Sequence, residues 1–196
     1  MVRLKKFILS IFGFQNKIFN YLLIKYKKVS YETYPIVNGR LFIRGNGKII
    51  FGKNVKFNSS PSANPIGGDT RMTIRANKGA TLKIDDYCGI SNCAIICHES
   101  ITIGKHVKIG GSVKIYDTDF HSLNAELRKN NITDIPVTKP VIIGNSCFIG
   151  AFSIILKGVS IGNNSIVGAG SVVTKSVPEN EIWAGNPARF IKKLDT

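Results

Sequence analysis

The chain has 196 residues, 43% of them hydrophobic, and 27 Lys and Arg against 12 Asp and Glu give a formal net charge of +15. This composition predicts one packed domain with a modest appendage and excludes a disordered chain. The charge favours a polyanionic partner, such as cofactor phosphates or anionic lipid. Nucleic acid is disfavoured, because the basic residues are spread along the chain without a recognisable binding motif.

The first 30 residues predict a basic amphipathic helical segment. An apolar run from Phe7 to Phe14 follows a basic start, but polar residues interrupt it and no small-residue cleavage site follows, so we expect no export signal. The run is also far shorter than the ~20 apolar residues that cross a bilayer. Two interpretations stay open: the segment lies on anionic lipid, or its apolar face packs on the fold or on another subunit. Its lysines are Lys5, Lys6, Lys17, Lys25, Lys27 and Lys28.

The cysteines show no paired Cys-x-x-Cys spacing. They are Cys88, Cys93, Cys97 and Cys147. We predict reduced thiols in the core of a cytoplasmic protein. Cys97 stands beside His98, but a metal site needs three or four convergent donors, and we expect none here.

From residue 141 onward the sequence repeats with a period of six. One row of positions is always aliphatic, and a second row, four residues further along, is small or β-branched. The first row comprises Ile143, Ile149, Ile155, Ile161, Val167 and Val173. The second row comprises Cys147, Ser153, Val159, Ser165, Ser171 and Val177. This period fits neither an α-helix nor a simple hairpin, and it predicts a coil of short parallel strands with both rows pointing inward.

The repeat also extends upstream. The same phase occurs at Ile103, Ile109 and Ile115, with Val107 and Val113 in the second row. An earlier set, Ile84, Ile90 and Ile96, is offset by one residue, which predicts a local insertion. Glycine follows several of the aliphatic residues, and because glycine tolerates positive φ we expect it to make the corners of the coil. Open coil ends need caps, which we expect from the N-terminal segment and from residues 181–193.

This pattern of an aliphatic residue, glycine, two variable residues and a small residue resembles that of the hexapeptide-repeat transferase superfamily over residues 84–194. The resemblance implies a mainly β fold: a left-handed parallel β-helix with an N-terminal helical segment, a protruding loop and a short C-terminal cap. We accordingly divide the chain into a basic amphipathic helical segment, 1–30, and a β-helix domain, 31–196, that contains the loop 116–140. The resemblance also implies a homotrimer with active sites between subunits.

The loop 116–140 breaks the period of six and contains His121. A neutral imidazole can take the proton of a hydroxyl as that oxygen attacks a carbonyl carbon, while a nearby carboxylate fixes its tautomer. The stretch His121-Ser-Leu-Asn-Ala-Glu-Leu-Arg-Lys-Asn resembles the active-site loop of galactoside, maltose and polysaccharide O-acetyltransferases, which implies that His121 is the catalytic base. His98 and His106 have no such counterpart. The candidates to orient His121, left unranked, are Asp117, Asp119 and Glu126.

The same resemblance implies a site for acetyl-CoA. The pantetheine arm would pass Ala169, and the backbone N–H of Ala151, where relatives have Ser, would stabilise the oxyanion. The candidates for the nucleotide, whose phosphates suit cations, are Thr174, Lys175, Arg189 and Lys192. The candidates for the acceptor are Asn92, Ser91 and Asp117. The alternative for the basic residues is a capping, solvated surface.

We therefore predict a cytoplasmic, acetyl-CoA-dependent O-acetyltransferase that acts on a hydroxyl of a sugar or of a surface polysaccharide, such as capsule, O-antigen or exopolysaccharide. The basic N-terminal segment favours an acceptor at the membrane and a peripheral contact of the protein with the anionic inner face of the cell membrane. Two alternatives stay open. One is an N-acetyltransferase for an antibiotic or an amino sugar, and the other is a trimeric β-helix that serves as a scaffold or binding module without catalysis.

Overall fold

The computed structural model describes residues 2–68 and 70–195, with side chains from residue 13 onward. These residues form a long helix, α1 (Val2–Tyr26), a four-residue helix, α2 (Ala125–Arg128), a 3-10 turn at Pro65–Gly67, and short β-strands numbered below in chain order. The strands make three sheets, which are the three faces of one coil. We name each corner of the coil by the two faces that it joins.

Face A contains β1 (Ser30–Tyr31), β4 (Lys48–Phe51), β7 (Thr81–Ile84), β10 (Ser100–Ile103), β13 (Val141–Ile143) and β16 (Ser160–Ile161). Face B contains β2 (Ile36–Gly39), β5 (Lys56–Ser59), β8 (Gly89–Ser91), β11 (Lys108–Ile109), β14 (Phe148–Ile149), β17 (Ile166–Val167), β19 (Glu181–Gly185) and β20 (Ala188–Lys193). Face C contains β3 (Phe42–Arg44), β6 (Thr73–Ala76), β9 (Ala94–Cys97), β12 (Lys114–Tyr116), β15 (Ile154–Ile155) and β18 (Val172–Val173).

Successive coils stack through parallel strand pairs. On face A, for example, β10 pairs with β7 on one side and with β13 on the other. Both predicted rows point inward, and every member of them from Ile143 to Val177 is buried. Burying one such Ile or Val contributes roughly 1.5 to 3 kcal/mol, so these interior ladders hold the coil together. The predicted left-handed parallel β-helix is confirmed.

The glycines of the repeat do not make the corners in the way that the sequence predicted. Positive φ falls two residues after them, on His106, Ser146 and Asn164, at φ values between 57° and 61°. The glycines are needed for a different reason. A Cβ built on Gly150 would lie 2.4 Å from the backbone N of Ala169 on the next coil. Adjacent coils therefore approach too closely at these positions for any side chain.

The one-residue offset in the repeat arises from two corners of unequal length. On face C the inward residue is Ile95, so the prediction for Ile96 is wrong. Ile95 follows Ile90 by one residue fewer than the repeat requires, across a corner where Asn92 adopts a φ of 43°. The next inward residue in phase, Ile103, comes two residues later than the repeat requires. Together the two corners give the predicted net insertion of one residue.

Two loops leave the coil. The sequence did not predict the first, loop 60–72, whose described residues, 60–68 and 70–72, fold over the B–C corner. There Ser112 Oγ donates to the carbonyl oxygen of Gly67 at 3.0 Å, and Asn92 Nδ2 donates to that of Asn64 at 2.9 Å. The second, loop 117–140, leaves the C–A corner between β12 and β13 and contains α2.

Both ends of the coil are capped by the segments that the sequence predicted. α1 lies across the first coil: Asn20 Nδ2 donates to the carbonyl oxygen of Gly39 at 2.8 Å, and its Oδ1 accepts the N–H of Leu41 at 3.0 Å. Ile24 of α1 enters the core. At the other end, β19 pairs with β17, and β20 folds back on β19 as an antiparallel hairpin. Among the helices described, none is long and apolar enough to cross a membrane.

Candidate active site

Loop 117–140 is closed at its base rather than free. Thr118 and Thr138 form an antiparallel bridge between its two ends. Within the loop, Asn124 caps α2, since its Oδ1 accepts the N–H of Glu126 at 2.9 Å. His121 therefore projects from a segment whose main chain is held on both sides.

His121 is hydrogen-bonded to Asp134. Its Nδ1 lies 2.6 Å from Asp134 Oδ2, and the other carboxylate oxygen accepts the N–H of Ser122 at 2.6 Å. The hydrogen bond from His121 and, to a smaller extent, that from Ser122 hold the pKa of Asp134 below its ordinary range. The ionised carboxylate accepts the proton on Nδ1, so the lone pair of the neutral ring lies on Nε2. Because the His121 side chain is 67% exposed, a hydroxyl can reach that nitrogen, as a general base requires.

Asp117 holds the main chain in place. It is fully buried, and its two carboxylate oxygens accept the N–H groups of His98 and Glu99 at 2.7 and 2.8 Å. Among the residues described, His121 is hydrogen-bonded to Asp134 and not to Asp117, so the orienting role predicted for Asp117 is not seen, and its role in binding the acceptor stays a prediction.

The other two carboxylates that were predicted to orient His121 have different partners. Asp119 pairs with Lys157 at 3.1 Å, and Glu126 pairs with Lys129 at 2.8 Å. Asp134 takes the place that was predicted for them. The sequence did not reveal it, because Asp134 lies 13 residues from His121 and no spacing rule connects two positions across an irregular loop.

Aromatic side chains pack at the root of the loop. Phe120 lies edge-on to Tyr116, with ring centroids 5.1 Å apart, and to His98 at 5.9 Å. Burial lowers the pKa of His98 below its ordinary range. His98 is thus a packing residue. His106 is stacked on Tyr87 at the A–B corner, away from the loop.

A column of small residues runs along the B–C corner. Ala151 and Ala169 occupy equivalent positions on adjacent coils, after β14 and β17. Within the residues described, neither main-chain N–H makes a hydrogen bond, because the bonds between coils fall on neighbouring residues. An extended ligand with carbonyl oxygens can be bound by such N–H groups. Gly67 of loop 60–72 lies over the equivalent residue Gly111 and ends the column.

Two of the predicted acceptor residues, Ser91 and Asn92, lie at the B–C corner, and Asn92 lies beneath loop 60–72. Ser91 Oγ accepts a hydrogen bond from Asn58 Nδ2 at 3.1 Å. Asn92 is buried, and its Oδ1 is a buried atom without a hydrogen-bond partner among the residues described. A cavity of about 240 Å³ opens beside Asn92, with Arg71 and Lys114 in its wall.

The residues predicted to bind the nucleotide are exposed, but they lie at different corners of the coil. Thr174 and Lys175 follow β18, at the C–A corner of the last coil. Arg189 lies near the start of β20, at the end of the hairpin that adjoins the B–C corner. Lys192 lies opposite Ile182, further along the hairpin.

The candidate residues therefore form two groups on opposite edges of face C. His121 and Lys175 lie at the C–A corner, whereas Asn92, Ala151 and Ala169 lie at the B–C corner. One chain does not bring the two groups together. In the part of the chain that the structure describes, no group of three or more metal-ligating side chains is found.

The four cysteines are buried and unpaired. Burial raises the pKa of Cys88 and Cys147 to about 11 and that of Cys97 to about 12. Protonated thiols of this kind are poor nucleophiles, so they contribute to packing rather than to chemistry.

Residues 140–175 match the family model for the hexapeptide repeat of succinyl-transferase. A putative lipopolysaccharide biosynthesis O-acetyltransferase of Escherichia coli K12 is 32% identical over 173 residues, which cover 86% of this chain and 83% of that protein.

Two solved structures, each with a bound cosubstrate or coproduct, are also similar. A hexapeptide-repeat acetyltransferase of Vibrio cholerae in complex with acetyl-CoA is 35% identical, with a TM-score of 0.54, over 59% of this chain and 61% of that one. A galactoside acetyltransferase in complex with CoA is 28% identical, with a TM-score of 0.56, over 85% of this chain and 64% of that one. The match thus spans less than two thirds of the length of each of these two solved proteins.

Proposed function

The chain belongs to the hexapeptide-repeat acetyltransferase family, and from this premise we propose that it transfers the acetyl group of acetyl-CoA to a hydroxyl of a sugar in a surface polysaccharide. The observation that carries the proposal is the pair of His121 and Asp134 on an exposed loop. A carboxylate that fixes Nδ1 and leaves Nε2 open to solvent suits an imidazole that accepts a proton from a hydroxyl.

In the proposed reaction, Nε2 of His121 takes the proton of the acceptor hydroxyl while the hydroxyl oxygen bonds to the thioester carbonyl carbon. The N–H of Ala151 donates to the oxyanion that forms on the carbonyl oxygen. When this intermediate collapses, the C–S bond breaks, and His121 returns the proton to the departing CoA sulfur. Asp134 orients the ring and stabilises its transient positive charge.

The B–C corner suits the donor. The pantetheine arm of acetyl-CoA is unbranched and carries two amide groups, whose oxygens can accept from N–H groups such as that of Ala169. The small side chains along the column let such a chain approach the backbone closely. At the C-terminal end, the cations Arg189 and Lys192 suit the phosphates of the nucleotide, whereas Thr174 and Lys175, at the C–A corner, would reach it from a neighbouring subunit.

A homotrimer would complete this site from two subunits. Face C separates His121 from Ala151 in one chain, so the base of one subunit has to meet the N–H column of its neighbour. Loop 117–140 also carries apolar side chains that are at least 45% exposed, which suits burial against a second subunit. They are Leu123, Leu127, Ile132, Ile135 and Val137.

The proposed acceptor is a glycan of the cell surface, made in the cytoplasm. The Escherichia coli relative, 83% of which is covered by the match, is named for lipopolysaccharide biosynthesis. Arg71 and Lys114 beside the cavity at Asn92 favour an acceptor with negative charge, such as a uronic acid or a sugar phosphate. Buried, protonated thiols suit the reducing cytoplasm, where acetyl-CoA is available.

Release of the CoA thiol from acetyl-CoA, measured with a panel of sugars and amino sugars, tests this function. We expect His121→Ala to lower kcat/KM by about 10²-fold or more. His106→Ala, which removes an exposed histidine from another corner, should stay within about twofold of wild type. Wild-type activity in His121→Ala would show that His121 is not the base.

The same panel separates the alternatives. Faster transfer to an amino sugar than to its hydroxyl counterpart would replace O-acetylation by N-acetylation. A wild-type protein that binds acetyl-CoA but releases no thiol with any acceptor would be a scaffold. Mass spectrometry of glycans from cells with the wild-type chain or with His121→Ala, read for one added acetyl group, would identify the acceptor.

A further inference from the structure

The helix α1 uses one of its faces to cap the coil. On that face, Asn20 and Ile24 contact the first coil, and Lys27 Nζ donates to the carbonyl oxygen of Gly45 at 3.2 Å. One turn before Asn20, Asn16 Oδ1 accepts a hydrogen bond from Arg40 at 2.7 Å. The opposite face of α1 points away from the coil.

That outward face carries a line of large apolar side chains. Phe14, Ile18, Leu22 and Tyr26 follow one another at intervals of four residues, so they lie in a row, which we call the α1 stripe. They are between 46% and 80% exposed. The solvent face of a capping helix is ordinarily polar. A contiguous apolar row in its place marks an interaction surface.

The outward face is also basic. Lys25 lies three residues after Leu22 and so belongs to the same face, and Lys17 and Lys28 flank it. The first 31 residues of the sequence contain no Asp or Glu. In the described part of the chain, no ion pair involves these three lysines. At the end of the helix, Lys28 and Lys48 line a groove of about 540 Å³.

We propose that the outward face of α1 docks on an anionic lipid bilayer, with the helix parallel to the membrane surface. The α1 stripe enters the boundary between headgroups and acyl chains, and the lysines meet the headgroup phosphates. Docking is independent of acetyl transfer, since it needs neither acetyl-CoA nor an acceptor.

A second copy of the chain fits this face less well than a bilayer does. Lys25 lies beside the α1 stripe on the same face, and in a dry contact between two α1 helices its ammonium would lose water without a carboxylate to pair with. At a bilayer, its aliphatic stem lies along the apolar side chains while its charge reaches the headgroups. The charge of the face thus favours lipid as the occupant.

Flotation of the full chain with vesicles tests the proposal. We expect binding to phosphatidylcholine vesicles that contain phosphatidylglycerol, weaker binding to phosphatidylcholine alone, and a decrease as salt is added. Replacing Ile18→Ser together with Leu22→Ser, at positions 46% and 58% exposed, should weaken binding to the anionic vesicles by about tenfold or more. The matched control is Ile142→Ser together with Ile191→Ser, at positions 48% and 57% exposed elsewhere on the coil, and it should stay within about twofold.

A second pair of variants tests the charge. Lys25→Glu with Lys28→Glu should remove the preference for anionic vesicles, whereas Lys78→Glu with Lys193→Glu makes the same change of charge at exposed sites outside α1 and should retain the preference. Equal losses in a variant pair and its control would overturn the proposal. Undiminished vesicle binding by the Ile18→Ser, Leu22→Ser protein would also overturn the proposal. If sedimentation equilibrium showed that this variant had lost its oligomeric state while it still bound vesicles, the face would be a contact between copies of the chain. Circular dichroism verifies that each variant is folded.

Discussion

The coil and loop 117–140 are stabilised by different interactions. In the coil, aliphatic side chains of adjacent turns bury one another in continuous ladders. In the loop, Ser122 is the one buried residue beyond Thr118 among those described, and the conformation depends on hydrogen bonds to Asn124 and Asp134. Stability and chemistry are therefore separable here. A change inside the coil should unfold the protein, whereas a change in the loop should stop the reaction in a protein that stays folded.

The largest effect is expected from a charge inside the coil. Ile155→Asp should lower the free energy of unfolding by about 5 kcal/mol, because a carboxylate there has neither water nor a partner. Ser160→Asp, at an exposed position one strand further on, should change it by less than about 0.5 kcal/mol. Urea unfolding followed by circular dichroism measures both. Equal midpoints for the two variants would contradict the account of the interior.

A smaller effect on stability, but a large one on rate, is expected in the loop. Asp134→Asn can present an N–H to Nδ1 of His121 and so favour the wrong tautomer, and kcat/KM should fall by about 10²-fold or more. The free energy of unfolding should change by less than about 1 kcal/mol, because the coil does not depend on the loop. The control is Glu126→Gln, which changes a carboxylate that the sequence suggested as the partner of His121, and its kcat/KM is compared with that of Asp134→Asn. A greater loss of rate in Glu126→Gln than in Asp134→Asn would reverse the assignment of the orienting residue.

The smallest effect concerns pH. The pKa of Asp134 is held below its ordinary value of 3.8 by hydrogen bonds from His121 and Ser122. Because the folded-state pKa is depressed, the stabilisation by Asp134 is complete above the unfolded-state pKa and is lost as the pH falls through the folded-state value. The carboxyl ¹³C resonance of Asp134 should accordingly titrate below 3.8 in the wild type and closer to 3.8 in His121→Ala. Titration above 3.8 in the wild type would show that the pair is not formed.

The repeat could be predicted because its cause is local and periodic. Each inward position faces the same kind of interior, so the sequence has to repeat with the coil. The corners were harder to predict, because their residues depend on contacts with the neighbouring coil. At Gly150 the glycine serves the close approach of the next coil rather than the backbone angle, and Asn92 makes a corner one residue short. Neither effect is visible without the position of the neighbouring turn.

The candidate site could be predicted only in part. The resemblance of the loop pointed to His121, but its partner is a residue that folding brings back across the loop. Asp117, which the sequence placed beside His121, is instead used to hold the N–H groups of His98 and Glu99. Loop 60–72, which covers Asn92, could not be predicted, because its sequence has no periodic pattern. Contacts between irregular segments depend on tertiary structure, and here they decide what the polar residues do.

The stacking of the coil has a consequence for where the proposed reaction takes place. Three strand pairings, β3 to β6, β6 to β9 and β9 to β12, separate the first turn from the root of loop 117–140, and at about 4.8 Å each they amount to about 14 Å. A helix beneath the first turn adds about 10 Å. A protein that rests on α1 would therefore hold the root of loop 117–140 about 25 Å above the boundary between headgroups and acyl chains. On a lipid-linked glycan, the height of the coil would then favour acetylation of a sugar several units away from the lipid over acetylation of the first sugar.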